Sequence, residues 1–122
     1  MYDETTKLYV GYIYKIYNDV NEKVYIGQTS CTVEKRWIEH LKTAKKTEKY
    51  HYSIHKAINK YGVEHFNIEC IEILYCETKQ QLSLSLDEQE IYWISFYNSY
   101  MNGYNETTGG KTIQFVLYRK NR

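Results

Sequence analysis

Residues 8–17, LYVGYIYKIY, form a β-rich run with no breaker after Gly11. In an extended chain Val10, Tyr12, Tyr14 and Ile16 fall on one side, and Ile13, Lys15 and Tyr17 on the other. Asn18-Asp19-Val20-Asn21-Glu22 has turn chemistry, and Lys23–Gln28 reads as a second short strand. Together they predict an antiparallel hairpin with a five-residue connection, in which Gly27 ends the apolar run. The period then changes. Val33, Trp37, Leu41 and Ala44 recur at helical spacing, and Thr32 just before them is a sound N-cap. Arg36 and His40, also one turn apart, share a second stripe beside the apolar one.

A polar loop over 45–50 leads to a second predicted helix at about Ser53–Tyr61, with Ile54, Ala57 and Ile58 on its buried face and Gly62 as its stop. Phe66–Tyr75 is a third strand. Its alternation slips at Cys70-Ile71, which predicts either a bulge or a strand covered on both faces. Lys79–Phe96 predicts a long helix with a seam of Leu82, Leu86, Gln89, Trp93 and Phe96 or Tyr97, and Glu90 stands one step from that seam. Asn102-Gly103-Tyr104-Asn105 is turn-rich, Gly109-Gly110 closes the segment, and residues 111–122 read as a short strand or a partly ordered basic tail.

The 122 residues suit one domain. Hydrophobic content of 43% with 25% charged residues excludes a disordered chain, and apolar runs of four or five residues exclude a membrane span. The polar, acidic start is not a signal peptide. Three cysteines make neither a disulfide scaffold nor a metal-spaced pair, so we expect free, mostly buried thiols and an intracellular protein, cytoplasmic or nucleoid-associated. The four histidines lack the spacing of a zinc site. A net charge of +1 conceals an uneven distribution. Residues 34–60 hold eight Lys/Arg against three Glu, residues 64–90 hold seven acids and one Lys, and the tail from Lys111 holds four Lys/Arg and no acid. Such asymmetry suits a polyanion, while a solvated helix face explains it equally well.

Taken singly, Tyr14, Arg36 and Glu90 read as packing or surface residues. Their combination supplies the parts of phosphodiester hydrolysis. A carboxylate holds a hard divalent cation, a planar Arg fork binds phosphate, and a phenol near positive charge ionises below its ordinary pKa of about 10 to deprotonate water. An imidazole positions or relays that proton. One well-placed carboxylate implies one metal ion.

Gly11-Tyr12-Ile13-Tyr14-Lys15-Ile16, Asn18 and Lys23-Val24-Tyr25-Ile26-Gly27-Gln28-Thr29 together resemble the signature hairpin of the GIY-YIG nuclease family. Tyr12-Ile13-Tyr14 stands at the first triplet with Tyr in place of the usual Gly, and Tyr25-Ile26-Gly27 matches the second in full. The resemblance runs on through Lys35-Arg36-Trp37, His40, Ala57–Gly62, Phe66, Leu86–Ile94 and NGYNETTGG, most like the catalytic domain of phage-type homing endonucleases. It implies an α+β fold, a central three-stranded antiparallel sheet flanked by helices. It implies metal-dependent cleavage of DNA with one Mg2+ or Mn2+ ion, backbone contacts dominating, and a phage, virus or mobile-element source. Carried over by motif, Tyr14 and Tyr25 are the signature phenols, with Tyr14 the first choice as general base. Arg36 is the catalytic arginine, His40 the histidine one turn later, Glu90 the metal ligand and Asn105 the active-site asparagine. The expected organisation is an N-terminal extension over 1–7, a nuclease domain over 8–110 and a basic tail over 111–122. The alternative is a nucleic-acid-binding module with little or no catalysis.

Overall fold

The computed structural model describes residues 1–46 and 52–110. The tail over 111–122, and most of the loop after the first helix, lie outside the described residues.

The predicted hairpin forms. β1 is Tyr2–Asp3, β2 is Leu8–Asn18, and β3 is Tyr25–Thr29. β2 and β3 pair antiparallel, with Tyr14 opposite Gly27 and Ile16 opposite Tyr25. The connection is longer than expected because the side chain of Asn18 holds the turn open. Its Oδ1 accepts from the Val20 and Asn21 amides at 2.8 Å, and its Nδ2 donates to the Lys23 carbonyl at 3.1 Å. β4, Phe66–Cys76, pairs antiparallel along the other side of β2. Its register skips once. Ile13 faces Glu72 and Tyr14 faces Cys70, so Ile71 is the extra residue of a bulge where the alternation slips. The sheet thus has three long strands with β2 in the centre. A fourth, two-residue strand, β1, pairs with the start of β2, so residues 2–3 belong to the sheet rather than to an appendage.

α1, Val33–Lys45, starts at the predicted cap, where Thr32 Oγ1 accepts from the Lys35 amide at 3.2 Å. α2 is Ser53–Tyr61, and Gly62, at φ 99°, turns the chain out of it. α3, Lys79–Tyr97, is capped by Thr78 and ends at Asn98 in the left-handed region; α4, Ser99–Asn102, follows. Helices cover both faces of the sheet. Tyr14, Ile16 and Phe66 pack with Val33, Ala44, Ile54, Ala57 and Ile58 on the α1/α2 side. Ile13 and Ile26 pack with Leu82, Leu86 and Ile94 on the α3 side. The alternation of β2 therefore feeds two cores.

Of the two residues the sequence left open for the end of the α3 seam, Tyr97 packs there, while Phe96 is 62% exposed. Gln89 and Trp93 reach the seam as hydrogen-bond donors to Glu72 Oε1, at 2.7 and 2.8 Å. The cysteines are not mostly buried. Cys31 and Cys70 are exposed and Cys76 half-buried, because Cys31 lies in the β3–α1 connection and the other two on β4, an edge strand with much of its length open. Among the described residues no helix is long and apolar enough to cross a membrane.

Candidate active site

Tyr14, Tyr25, Arg36, His40, Glu90 and Asn105, drawn from two strands, two helices and a loop, all line one cavity of about 620 Å³. A larger groove of about 950 Å³ beside it shares Gln28, Arg36 and Ser83 with it as lining residues.

The hairpin places the phenols. Tyr14 points to the α1/α2 side across from Gly27, and a Cβ built at Gly27 would land on the Tyr14 phenol. The glycine is needed for space rather than for an unusual backbone angle. Tyr12, at the motif's first glycine position, packs at the margin of the same core, while Gly11 takes the close approach, against Leu86 of α3. α1 brings Arg36 and His40. Arg36 is half-exposed, and its Nη1 donates to Glu39 Oε2 at 3.1 Å. His40 is 1% exposed, so the second stripe of α1 turns inward as well as the apolar one. His40 Nε2 lies 2.7 Å from the Tyr14 hydroxyl, and its Nδ1 lies 3.0 Å from Nε2 of His55 on α2. The Tyr25 ring meets His40 edge-on with centroids 5.5 Å apart.

α3 brings Glu90 to the far wall. Gly109 and Gly110, at φ 87° and 68°, fold the chain back against it, and Gly110 N–H donates to Glu90 Oε1 at 3.2 Å. Asn105 plays a different part from the others. Its Oδ1 accepts from the Ile26 amide at 2.8 Å and from Ser99 Oγ at 2.7 Å, and its Nδ2 donates to the Ile26 carbonyl at 2.8 Å. Its amide is engaged with the backbone of β3 between Tyr25 and Gly27, so Asn105 fixes the strand that carries the second motif.

The phenols are less exposed and less acidic than the sequence suggested. Tyr14 is 1% exposed. Burial raises its pKa, reinforced by Tyr25, and outweighs the lowering by Arg36. Burial and then Glu90 raise Tyr25. His40 is pushed down to about 3, chiefly by burial and then by the Arg36 charge. His55 is lowered for the same reasons, with Glu106 opposing. Both imidazoles are therefore neutral near pH 7. Burial also raises Glu90, opposed by the Gly110 amide and Gln28 and reinforced by Asp87.

Glu90 suits a hard divalent ion. It is a partly buried carboxylate, and no cationic side chain pairs with it among the described residues. No cluster of three or more His, Cys, Asp or Glu able to enclose a metal is found among those residues. One protein carboxylate leaves the remaining positions to water and phosphate oxygens, which is how Mg2+ is commonly held.

Three further residues of the cavity escaped the sequence reading. His55 follows Ile54 on the apolar face of α2, where a lone histidine reads as a packing residue. Asp87 is buried beside Leu86 and accepts from Gln28 Nε2 at 2.8 Å. Glu106 accepts from the amide and hydroxyl of Ser53 at the start of α2, at 2.8 and 3.0 Å. Asp87 and Glu106 lie inside the matched segments Leu86–Ile94 and NGYNETTGG but were given no role there, and His55 lies in none; packing between elements brings all three to the cavity.

Comparison with known proteins agrees with this geometry. The GIY-YIG catalytic domain matches residues 10–105. The chain is 34% identical over 112 residues to uncharacterized protein 019R of Invertebrate iridescent virus 6, and 32% identical over 105 residues to intron-associated endonuclease 1 of Enterobacteria phage T4. These matches cover 91% and 82% of this chain but span only 38% and 39% of the relatives' own lengths. Two solved structures of the catalytic domain of the homing endonuclease I-TevI, one a point mutant, are similar, with TM-scores of 0.63 and 0.66 at 34% and 31% identity. They cover 80% and 82% of this chain and 98% and 96% of those domains. The family model spans most of the chain, and the chain belongs to the GIY-YIG family.

Proposed function

We propose that this chain is the catalytic part of a divalent-metal-dependent DNA endonuclease. The observation that carries the reading is that Tyr14, Tyr25, Arg36, His40 and Glu90 line a single cavity. Its opening includes the half-exposed Arg36 guanidinium.

In this reading a DNA phosphate enters the groove and is held by the Arg36 fork, which neutralises charge as it builds on the phosphoryl oxygens. Glu90 would hold one Mg2+ or Mn2+ ion, which supplies Lewis-acid stabilisation of the phosphate and the leaving oxygen. Tyr14 is the general base. Its neutral phenol accepts a proton from the attacking water while passing its own to His40 Nε2, 2.7 Å away. Water oxygen bonds to phosphorus, and the opposite P–O bond breaks. Tyr25, edge-on to His40, flanks the base and orients the water or phosphate. Asn105 keeps β3, and with it Tyr25, in register. Residues 8–110 then act as the nuclease unit, with the basic 111–122 segment as a phosphate anchor. Target choice belongs to whatever accompanies such a domain in longer relatives.

Supercoiled plasmid incubated with the chain should be nicked in Mg2+ or Mn2+ and left intact in EDTA. An intact plasmid in both metals, with DNA binding retained, would instead make the chain a nucleic-acid-binding module.

A further inference from the structure

The hydrogen-bonded path that starts at Tyr14 does not end at His40. His40 Nδ1 lies 3.0 Å from His55 Nε2, and His55, 6% exposed, keeps its Nδ1 buried without a hydrogen-bonding partner in the protein. An unpaired buried nitrogen calls for an explanation, and here it terminates a chain of three groups.

A neutral imidazole carries one N–H and one bare nitrogen. Two contacts in series therefore oblige both rings to hold the same tautomer. If Tyr14 donates to His40 Nε2, His40 carries its proton on Nδ1 and donates to His55 Nε2, and His55 carries its own on Nδ1. If Tyr14 accepts, His40 and His55 both carry theirs on Nε2, and His55 Nδ1 is bare. The two states differ by one proton at the His55 end.

We propose that Tyr14, His40 and His55 form a proton wire that ends on His55, so that His55 is a positioning residue for the general base. The proposal rests on the nuclease reading. In the step, an O–H bond of water breaks and its proton goes to Tyr14 Oη. Tyr14's proton goes to His40 Nε2, and the proton of His40 Nδ1 goes to His55 Nε2. His55 keeps its Nδ1 proton and becomes imidazolium, so His40 stays neutral and His55 holds the one proton released as water bonds to phosphorus. After product release the transfers run in reverse, and Tyr14 releases that proton into the emptied cavity. The groups facing the wire are consistent with this. Tyr14 and Tyr25 stand on the sheet, Arg36 on α1, Tyr52 beside α2 with its ring 5.9 Å from His55, and Glu106 on the loop after α4. Burial, and then the Arg36 charge, keeps both rings neutral at rest and able to accept, while Glu106 favours a proton at the His55 end.

The test uses the full chain with His55→Gln, whose amide can bond to His40 but cannot take up a proton. Single-turnover plasmid cleavage should fall by about tenfold to a hundredfold near neutral pH. It should recover toward alkaline pH, where hydroxide attacks in place of water and needs no base, with DNA binding and melting temperature unchanged. His55→Gly should regain rate in proportion to added imidazole. An unaltered pH profile in the Gln variant together with no imidazole rescue overturns the wire. Because His55→Gly loses packing, nitrogen NMR on the unaltered chain without DNA gives an independent reading. Both histidines should be neutral and share one tautomer, and opposite tautomers or an imidazolium at neutral pH overturn the proposal while leaving the nuclease reading intact. If the unaltered chain cuts no plasmid in either metal, the nuclease reading itself fails and takes the wire with it.

Discussion

Glu90 and Arg36 face the same cavity, yet no bond joins them among the described residues; each is bonded to a neighbour of its own, Gly110 and Glu39. Glu90→Gln preserves shape and removes the charge a hard cation requires. Cleavage should drop by roughly a hundredfold or more while DNA binding and the melting curve persist. Full activity in that variant would place the metal elsewhere. Arg36→Lys should be nearly as severe, because an ammonium cannot reproduce the planar fork. Tyr14→Phe keeps the ring in its slot opposite Gly27 and deletes the proton acceptor. If it cleaves like the parent over about pH 7 to 9, the base is Tyr25. The residue types proposed for these roles were readable in motif order. That Tyr14 is enclosed and that burial overrides the Arg36 charge were not, because desolvation depends on what packs around the ring.

The hairpin and the loop that staples it are the elements on which the site depends. Gly27→Ala puts a methyl where the Tyr14 phenol lies, so the ring or β3 must shift. Overpacking of this kind costs about 1–3 kcal/mol. Urea titration should show that loss, and nicking should fall well beyond what the remaining folded fraction accounts for. Asn105→Ala leaves the Ile26 amide and carbonyl without their side-chain partners and should destabilise by about 1–3 kcal/mol. Its activity loss should recover in part under stabilising osmolyte, since Asn105 acts through the placement of β3. The helices carry a comparable lesson. The stripes of α1 and α2 named their apolar faces correctly, but His40 and His55 meet only because the two faces pack together. In α3 the seam closes on Tyr97, and Gln89 and Trp93 of the same helix donate to Glu72 of β4, contacts that join residues far apart in the chain.

For the molecule as a whole, the packing of α1 and α2 on one face of the sheet encloses two neutral histidines, and this makes stability depend on pH. The folded pKa of His40, about 3, lies below its unfolded value of about 6.5, so the unfolded chain binds the proton first. The stabilisation is complete above about pH 6.5 and is lost as pH falls toward the folded value, by up to about 1.4 kcal/mol per pH unit for one histidine. His55 acts in the same direction. Glu90 acts oppositely, since its folded pKa is raised and folding favours its protonation. Melting temperature should therefore decline between about pH 6.5 and 5, less steeply in His40→Gln and more steeply in Glu90→Gln. At the same scale the positive segments suit phosphate contacts, and no helix-turn-helix, zinc-finger or basic-zipper pattern offers base readout. DNA affinity should lie at about 10⁻⁴ to 10⁻⁶ M at physiological salt and weaken steeply as salt rises. A preference above roughly a thousandfold in competition between random and selected duplexes would show that this domain reads bases itself.

Local pattern alone determined the hairpin, the slip in alternation at Cys70-Ile71, the cap at Thr32, the stop at Gly62, and the order in which the site's residue types occur. Each depends on periods of two or 3.6 residues, or on the turn chemistry of single residues, and these act over a few positions. The short β1 strand, the open cysteines of β4, the inward turn of His40, the recruitment of His55, Asp87 and Glu106, and the binding of Asn105 to the backbone of Ile26 were decided by tertiary structure. Those features join residues far apart in the chain, and their pKa shifts arise from the water excluded where the elements meet.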